Sequence, residues 1–176
     1  NGIRKRYEYM VDVLRRFGPR RVLDFGCGTG TNLTIPLAQA FPEITFLGVD
    51  SDATTVNFAN TAHGLPNLSF GLNEAAALAA PFDMIIASEV IEHVDEPGGL
   101  LLYFRDMLEK DGIIVLTMPN GRGWIFRDGD HCAANQLPRI VPYLIAWLRT
   151  MLHGNTAWNR TLEGVATYAL PARLAS

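Results

Sequence analysis

The amino-acid sequence predicts a doubly wound α/β fold with a mostly parallel sheet, and three observations carry that prediction. Short apolar runs alternate with longer amphipathic ones, each bounded by Gly or Pro. The short runs are too apolar for a sheet with one wet face and suit parallel strands covered on both sides. A glycine-rich stretch, VLDFGCGTG at residues 22–30, follows the first of them, at the place where open α/β sheets bind ligands beyond the carboxyl ends of their strands.

In order, GIRKRYEYMVDVLRRFG carries Ile3, Tyr7, Met10, Val11 and Leu14 at helical spacing and stops at Gly18-Pro19. RVLDF reads as a buried strand, and a helix through TNLTIPLAQAF follows the glycine loop, with Pro36 predicting a kink or a late start. ITFLGV is a second strand, TTVNFANTAHG a helix and NLSFG a third strand. FDMIIAS is a fourth strand after an alanine-rich connection. PGGLLLYFRDMLEKDG reads as a helix with Leu101, Phe104 and Leu108 inward, and GIIVLTM as a fifth strand.

Composition narrows the function classes. At 176 residues, 48% hydrophobic and 19% charged, the chain is an ordinary globular protein with enough length for one core. A net charge of -3 gives no reason to expect a nucleic-acid partner. Two cysteines, Cys27 and Cys132, make neither a disulfide framework nor a zinc-ribbon spacing, so a reducing, cytoplasmic setting is expected. No signal peptide is visible, and the first residue is Asn1 rather than Met.

The glycine loop is the most informative stretch. Gly26, Gly28 and Gly30 remove side chains where backbone must turn and approach a ligand, and the following helix offers free N–H groups to an anion. The dinucleotide pattern G-x-G-x-x-G needs glycine at position 31, where this chain has Thr31. With Asp24 two residues ahead, the run resembles motif I of the class I S-adenosylmethionine-dependent methyltransferases. Asp50 in FLGVDSD matches that family's acidic residue after the second strand, Glu74 and Ala75 in GLNEAA match the position near the adenine amino group, and FDMIIASEVIEHV and LEKDGIIVLTMPN resemble later segments.

The resemblance implies S-adenosyl-L-methionine as cofactor. Asp24 would hold its ammonium, Gly26, Cys27, Gly28 and Gly30 would pass its methionyl portion, and Asp50 would accept hydrogen bonds from the ribose hydroxyls. Ser51, Glu74, Ala75 and Ser88 complete the expected cofactor contacts. The sulfonium is already a good leaving group, so the protein's main task is alignment of the acceptor, with help in removing its proton.

SEVIEHVDEP, residues 88–97, falls beside that methyl donor. If a helical turn follows Ser88, then Glu89, Glu92 and His93 share a face at i, i+3 and i+4. Ubiquinone-pathway O-methyltransferases and small-RNA 2'-O-methyltransferases, which this stretch resembles, bind a divalent cation with such a set; His131 would be the further ligand. Many relatives with a similar segment bind no metal, and the alternatives are proton transfer or substrate contact by Glu92 and His93, or structural hydrogen bonding. A divalent metal is the minor alternative.

These features predict an S-adenosylmethionine-binding core at residues 1–120 and a C-terminal helical insertion or lid at 121–176. The apolar run LPRIVPYLIAWLRTML, residues 137–152, is too short and too interrupted by Arg139, Pro142 and Arg149 to span a bilayer. VATYALPARLAS resembles the segment before the sixth strand of relatives, so the sheet is expected to lack its last antiparallel strands. The expected function is methyl transfer to a small-molecule acceptor, at oxygen in preference to nitrogen or carbon. A catalytically silent cofactor-binding domain is the alternative from another class, and a nicotinamide-dependent dehydrogenase ranks behind both.

Overall fold

The computed structural model describes residues 2–119, 158–162 and 165–171. Its opening helix, α1 (Gly2–Phe17), buries Tyr9, Met10, Val13 and Leu14 as one stripe. It ends where Gly18, at φ 57, donates its N–H to the carbonyl of Leu14 at 2.9 Å, a left-handed stop that only glycine adopts without strain. Then come β1 (Arg21–Phe25), α2 (Thr34–Ala40), β2 (Thr45–Asp50), α3 (Ala53–Thr61), β3 (Leu68–Leu72) and α4 (Glu74–Ala79). The chain continues through β4 (Phe82–Ser88), a 3-10 turn (Ile91–His93), α5 (Pro97–Asp106) and β5 (Leu108–Pro119). Pro36 is the third residue of α2, in a first turn whose N–H groups have no intrahelical partner, so the late start expected of it is what occurs.

The sheet order is β3-β2-β1-β4-β5-β7-β6, with the first five strands parallel. Helices α1, α2 and α3 supply Met10, Leu14, Ile35, Leu37, Val56 and Ala59 to the core on one face. On the other face Ala76, Ile91, Leu101 and Phe104 pack against Leu23, Ile85 and Leu116. The doubly wound, mostly parallel sheet predicted from the alternating pattern is therefore the fold.

Two expectations need correction. Leu108 is not on the inward face of α5; the helix ends at Asp106, and Leu108 opens β5, pairing with Phe82 before a register shift brings Ile113 opposite Met84. That irregularity places Glu109, Lys110 and Asp111, all exposed, in a strand rather than a turn. The sheet also does not lack its last strands. Strand β6 (Trp158–Leu162) pairs antiparallel with β7 (Val165–Pro171), and β7 pairs antiparallel with β5, covering the edge that a five-stranded sheet would leave open. The segment VATYALP, expected to precede a strand, is itself one. Of the helical insertion or lid expected at 121–176, residues 158–162 and 165–171 are strands of the sheet, and the rest, with the apolar run 137–152 and His131, lies outside the described residues.

The opposite edge, β3, has its own cover. The Asn60 amide of α3 donates Nδ2–H to the carbonyl of Phe70 at 3.2 Å, and its Oδ1 accepts the Phe70 N–H at 3.3 Å. One side chain thus takes the place of a neighbouring strand. No described helix is long and apolar enough to cross a membrane.

Candidate functional site

The carboxyl ends of β1, β2 and β4 converge on the glycine loop, residues 26–30, which is shaped by left-handed glycines: Gly26 at φ 73, Gly28 at φ 55 and Gly30 at φ 70. Backbone bonds tie it down, Gly26 and Cys27 donating N–H to the carbonyl of Val49 at 2.8 and 3.0 Å, and Gly30 to that of Cys27 at 3.0 Å. The Asp50 carboxylate holds the middle: its Oδ2 accepts the Gly28 N–H at 2.9 Å and its Oδ1 the Asp52 N–H at 3.1 Å. Each carboxylate oxygen keeps a lone pair for a further donor. A Cβ built on Gly28 would meet no atom within 4 Å. Its missing side chain leaves open space rather than easing a protein contact.

A cleft of about 220 Å³ opens beside this loop, lined by Asp24, Gly26, Cys27, Gly28, Ser88 and Glu89, with Ile3 and Arg6 of α1 across from them. Asp24, at 3% exposure, accepts a hydrogen bond from Thr34 Oγ1 at 2.6 Å. Burial pushes its carboxyl up to about 7, the Thr34 bond pulling the other way and the Asp50 charge adding to the rise. The half-buried Cys27 thiol donates to the Gly28 carbonyl at 3.3 Å, and burial raises its pKa, which disfavours the thiolate.

Beyond Ser88 the chain turns sharply. Glu89 sits at φ 60, an unusual conformation for a residue with a Cβ, and its N–H donates to the carbonyl of Thr117 at 2.9 Å. Its side chain faces Arg6 at 3.4 Å, and Thr117 Oγ1 donates to its Oε1 at 3.4 Å. Thr117 Oγ1 also bonds Ser88 Oγ at 2.8 Å. Burial raises the Glu89 pKa, with Arg6 opposing. Glu92, at 7% exposure, has Oε2 without a hydrogen-bond partner among the described residues, and burial pushes its carboxyl up to about 7.

The helical turn that would have put Glu89, Glu92 and His93 on one face is absent, because Glu89 is left-handed and only Ile91–His93 form a tight 3-10 turn. Glu92 points inward and His93 is exposed. No group of three His, Cys, Asp or Glu side chains suited to a metal ion occurs among the described residues. The expected ligand set is therefore not gathered among the described residues, and His131 lies outside them. Of the two residues expected to act on the acceptor, neither Glu92 nor His93 lines the cleft, whereas Glu89 does. Ser51 and Glu74 are exposed and Ala75 half-buried, at the ends of the neighbouring β2 and β3.

Arg6 is the site residue that the sequence reading missed. It stands twenty residues before the first loop glycine in a helix read only for its apolar stripe. Its one sequence signal was a basic residue one turn after Ile3, on the edge of that stripe.

The chain matches the model of the methyltransferase domain over residues 3–163. It is 34% identical over 99 residues to the trans-aconitate 2-methyltransferase of Deinococcus radiodurans, covering 56% of this chain and 38% of that one. It is 28% identical over 177 residues to the ubiquinone biosynthesis O-methyltransferase of Bradyrhizobium diazoefficiens, covering 97% of this chain and 64% of that one. The fold is shared with magnesium protoporphyrin IX methyltransferase of Synechocystis, solved with bound S-adenosylhomocysteine, at a TM-score of 0.65 and 18% identity over 95% of this chain and 82% of that one. The chain spans between 38% and 64% of the length of these sequence relatives. With the parallel sheet, the left-handed glycine loop and the match over residues 3–163, the chain belongs to the methyltransferase-domain family, in its class I, S-adenosylmethionine-dependent branch.

Proposed function

We propose that the chain binds S-adenosylmethionine in the cleft beside the glycine loop and transfers its methyl group to an oxygen of a small-molecule acceptor. The observation that carries this reading is the pairing of Gly28 with Asp50: an open cradle at the loop, fixed by a carboxylate with lone pairs to spare. In this reading Asp50 receives the ribose hydroxyls, Asp24 the ammonium of the methionyl portion, and Arg6 its carboxylate. Cys27, Ser51, Glu74, Ala75 and Ser88 line the remaining path. When bound, the cofactor supplies a methyl group on a sulfonium. The chain's own task is to align the acceptor oxygen and accept its proton.

Two carboxylates line the cleft, Asp24 and Glu89; with Asp24 given to the ammonium, Glu89 is left for the acceptor, and its burial-raised pKa favours taking that proton. Glu92, buried behind the turn, and His93, on its solvent side, are the further acidic and imidazole groups of this segment. Oxygen as the acceptor atom is supported by the O-methyltransferase relative and by this carboxylate. The division at residue 120, with the following segment covering the acceptor, is part of the same proposal and rests on sequence. Cys27 is a free thiol, which suits the reducing, cytoplasmic setting that the reading assumes.

Transfer of a labelled methyl group from S-adenosylmethionine to a panel of phenols, catechols and carboxylic acids tests the reading. Transfer to at least one supports it. Cofactor binding with no transfer across the panel favours a silent cofactor-binding domain instead.

Two further outcomes are expected. Because burial pushes the Asp24 carboxyl up to about 7, an ammonium bound beside it would favour the ionised form, so binding should release a proton below pH 7. Affinity for S-adenosylhomocysteine should therefore rise as pH climbs toward 7 and level off above it. Calorimetry in buffers of different ionisation enthalpy reads the proton directly, and Asp24→Asn should abolish the buffer dependence. Since Glu89, Glu92 and His93 are not gathered on one centre, turnover should be unchanged by a chelator. A loss restored by Mg²⁺ or Mn²⁺ would contradict this.

A further inference from the structure

The glycine loop is flanked on both sides by hydrophobic side chains, Phe70 and Val90. A Cβ on Gly30 would overlap the Phe70 ring, and a Cβ on Gly48 of β2 would come within 2.5 Å of the same ring and 3.0 Å of Cys27 Sγ. One phenyl group thus fills the space that two glycines vacate, directly beneath the loop. On the other flank a Cβ on Gly26 would meet Val90 Cγ2 at 2.5 Å. Val90 lies between Glu89 and the 3-10 turn, so the acceptor-facing segment and the cofactor loop press on each other.

The Phe70 ring is itself fixed. Asn60 holds its backbone at both N–H and carbonyl, 3.3 and 3.2 Å away, and the His63 ring meets it edge-on at a centroid distance of 5.2 Å. Phe70 is 7% exposed. A close-packed contact of this kind transmits small displacements, because interiors have few voids to absorb them.

We propose that Phe70 and Val90 are positioning residues that set the glycine loop in its cofactor-receiving shape, Phe70 in the space left by Gly30 and Gly48 and Val90 in that left by Gly26. The proposal rests on the cofactor reading given above. Neither residue touches the reacting atoms; each acts through the loop, whose Gly28 N–H is the group that Asp50 aligns.

The test compares Phe70→Leu and Val90→Ala with Ile44→Ala, a buried change just before β2, at the end of the sheet opposite the glycine loop. Phe70→Leu and Val90→Ala should each weaken S-adenosylhomocysteine binding about tenfold, the size of a large-to-small core change relayed in part to the loop. Ile44→Ala should lower thermal stability by a similar amount and leave affinity unchanged. Val90→Thr, which keeps both branches at Cβ, should restore binding. Hydrogen exchange of the unliganded protein gives a second readout that needs no cofactor: the amides of Gly26, Cys27, Gly28 and Gly30 should exchange faster in Phe70→Leu and Val90→Ala, and at the native rate in Ile44→Ala. Unchanged exchange in the loop variants, or equal effects in Ile44→Ala, would overturn the proposal. If the wild-type chain fails to bind S-adenosylhomocysteine, the cofactor reading falls, and the exchange rates still decide whether these residues hold the loop.

Discussion

Asp50→Ala should weaken S-adenosylhomocysteine binding by at least about 100-fold, because one carboxylate performs two tasks. It accepts the Gly28 N–H at 2.9 Å and the Asp52 N–H at 3.1 Å, and in the proposed complex it also accepts the ribose hydroxyls. Hydrogen bonds to an ionised group contribute about 1.5–3 kcal/mol each, so losing two of them to the ligand accounts for that factor. Asp50→Asn separates the tasks. It keeps the shape and one acceptor oxygen, so the loop should stay closer to its native position while the ribose loses a charged partner. An intermediate loss of affinity is expected, measured by calorimetry. The fold should survive both changes, since each kcal/mol lost shifts Tm by only about 2–4 °C in a chain of this size. Affinity for Asp50→Ala equal to that of the wild type would remove Asp50 from the site.

The second large effect is a contrast between two neighbouring glycines. Gly28→Ala adds a methyl that meets no protein atom, at a left-handed φ of 55 whose cost to alanine is about 1–2 kcal/mol. The protein should fold and yet bind S-adenosylhomocysteine at least about tenfold more weakly, because the methyl occupies the cradle. Gly30→Ala meets the same backbone cost and also drives a methyl into the Phe70 ring, with Ile35 Cγ1 behind it at 3.5 Å. Overpacking of a buried site adds about 1–3 kcal/mol, so this variant should lose far more stability. Thermal unfolding and ligand titration on both variants read the contrast. Equal losses of stability would mean that the open space at Gly28 is not a ligand site.

Why Gly28 and Gly30 differ could not be read from the chain alone. All three loop glycines look alike as letters, and what distinguishes them is Phe70, forty residues away, arriving on a strand two places across the sheet. The sequence did reveal that the loop follows a buried strand and that Asp50 ends the next one, because strand apolarity and Gly boundaries are local signals. The ends of β5 and α5 were less legible. The run MLEKDG carries turn-forming and charged residues, and only pairing of Leu108 with Phe82 makes it extended. Strands β6 and β7 were also missed, since WNRTL and VATYALP become a sheet only by pairing with each other and with β5, more than forty residues before β7 in the chain, which no local pattern announces.

The local geometry after Ser88 departs from the expected helical turn for a related reason. Helical spacing made Glu89, Glu92 and His93 look like one ligand face, but Glu89 adopts φ 60 because its N–H reaches the carbonyl of Thr117 on β5 and its carboxylate reaches Arg6 on α1. Both partners are distant in sequence, and both draw Glu89 out of the turn that local spacing suggested. The same displacement puts Glu89 in the cleft and leaves Glu92 buried behind it.

The central claim is that the cleft between the glycine loop, Asp50 and Glu89 receives S-adenosylmethionine. Titrating S-adenosylhomocysteine into the isotopically labelled chain and following backbone amide resonances tests it most directly. Saturable shifts at Gly26, Cys27, Gly28, Asp50, Ser88 and Glu89, at the carboxyl ends of β1, β2 and β4, are the predicted result. No saturable binding, or shifts confined to the opposite ends of those strands around Arg20, Asp83 and Gly112, would contradict it.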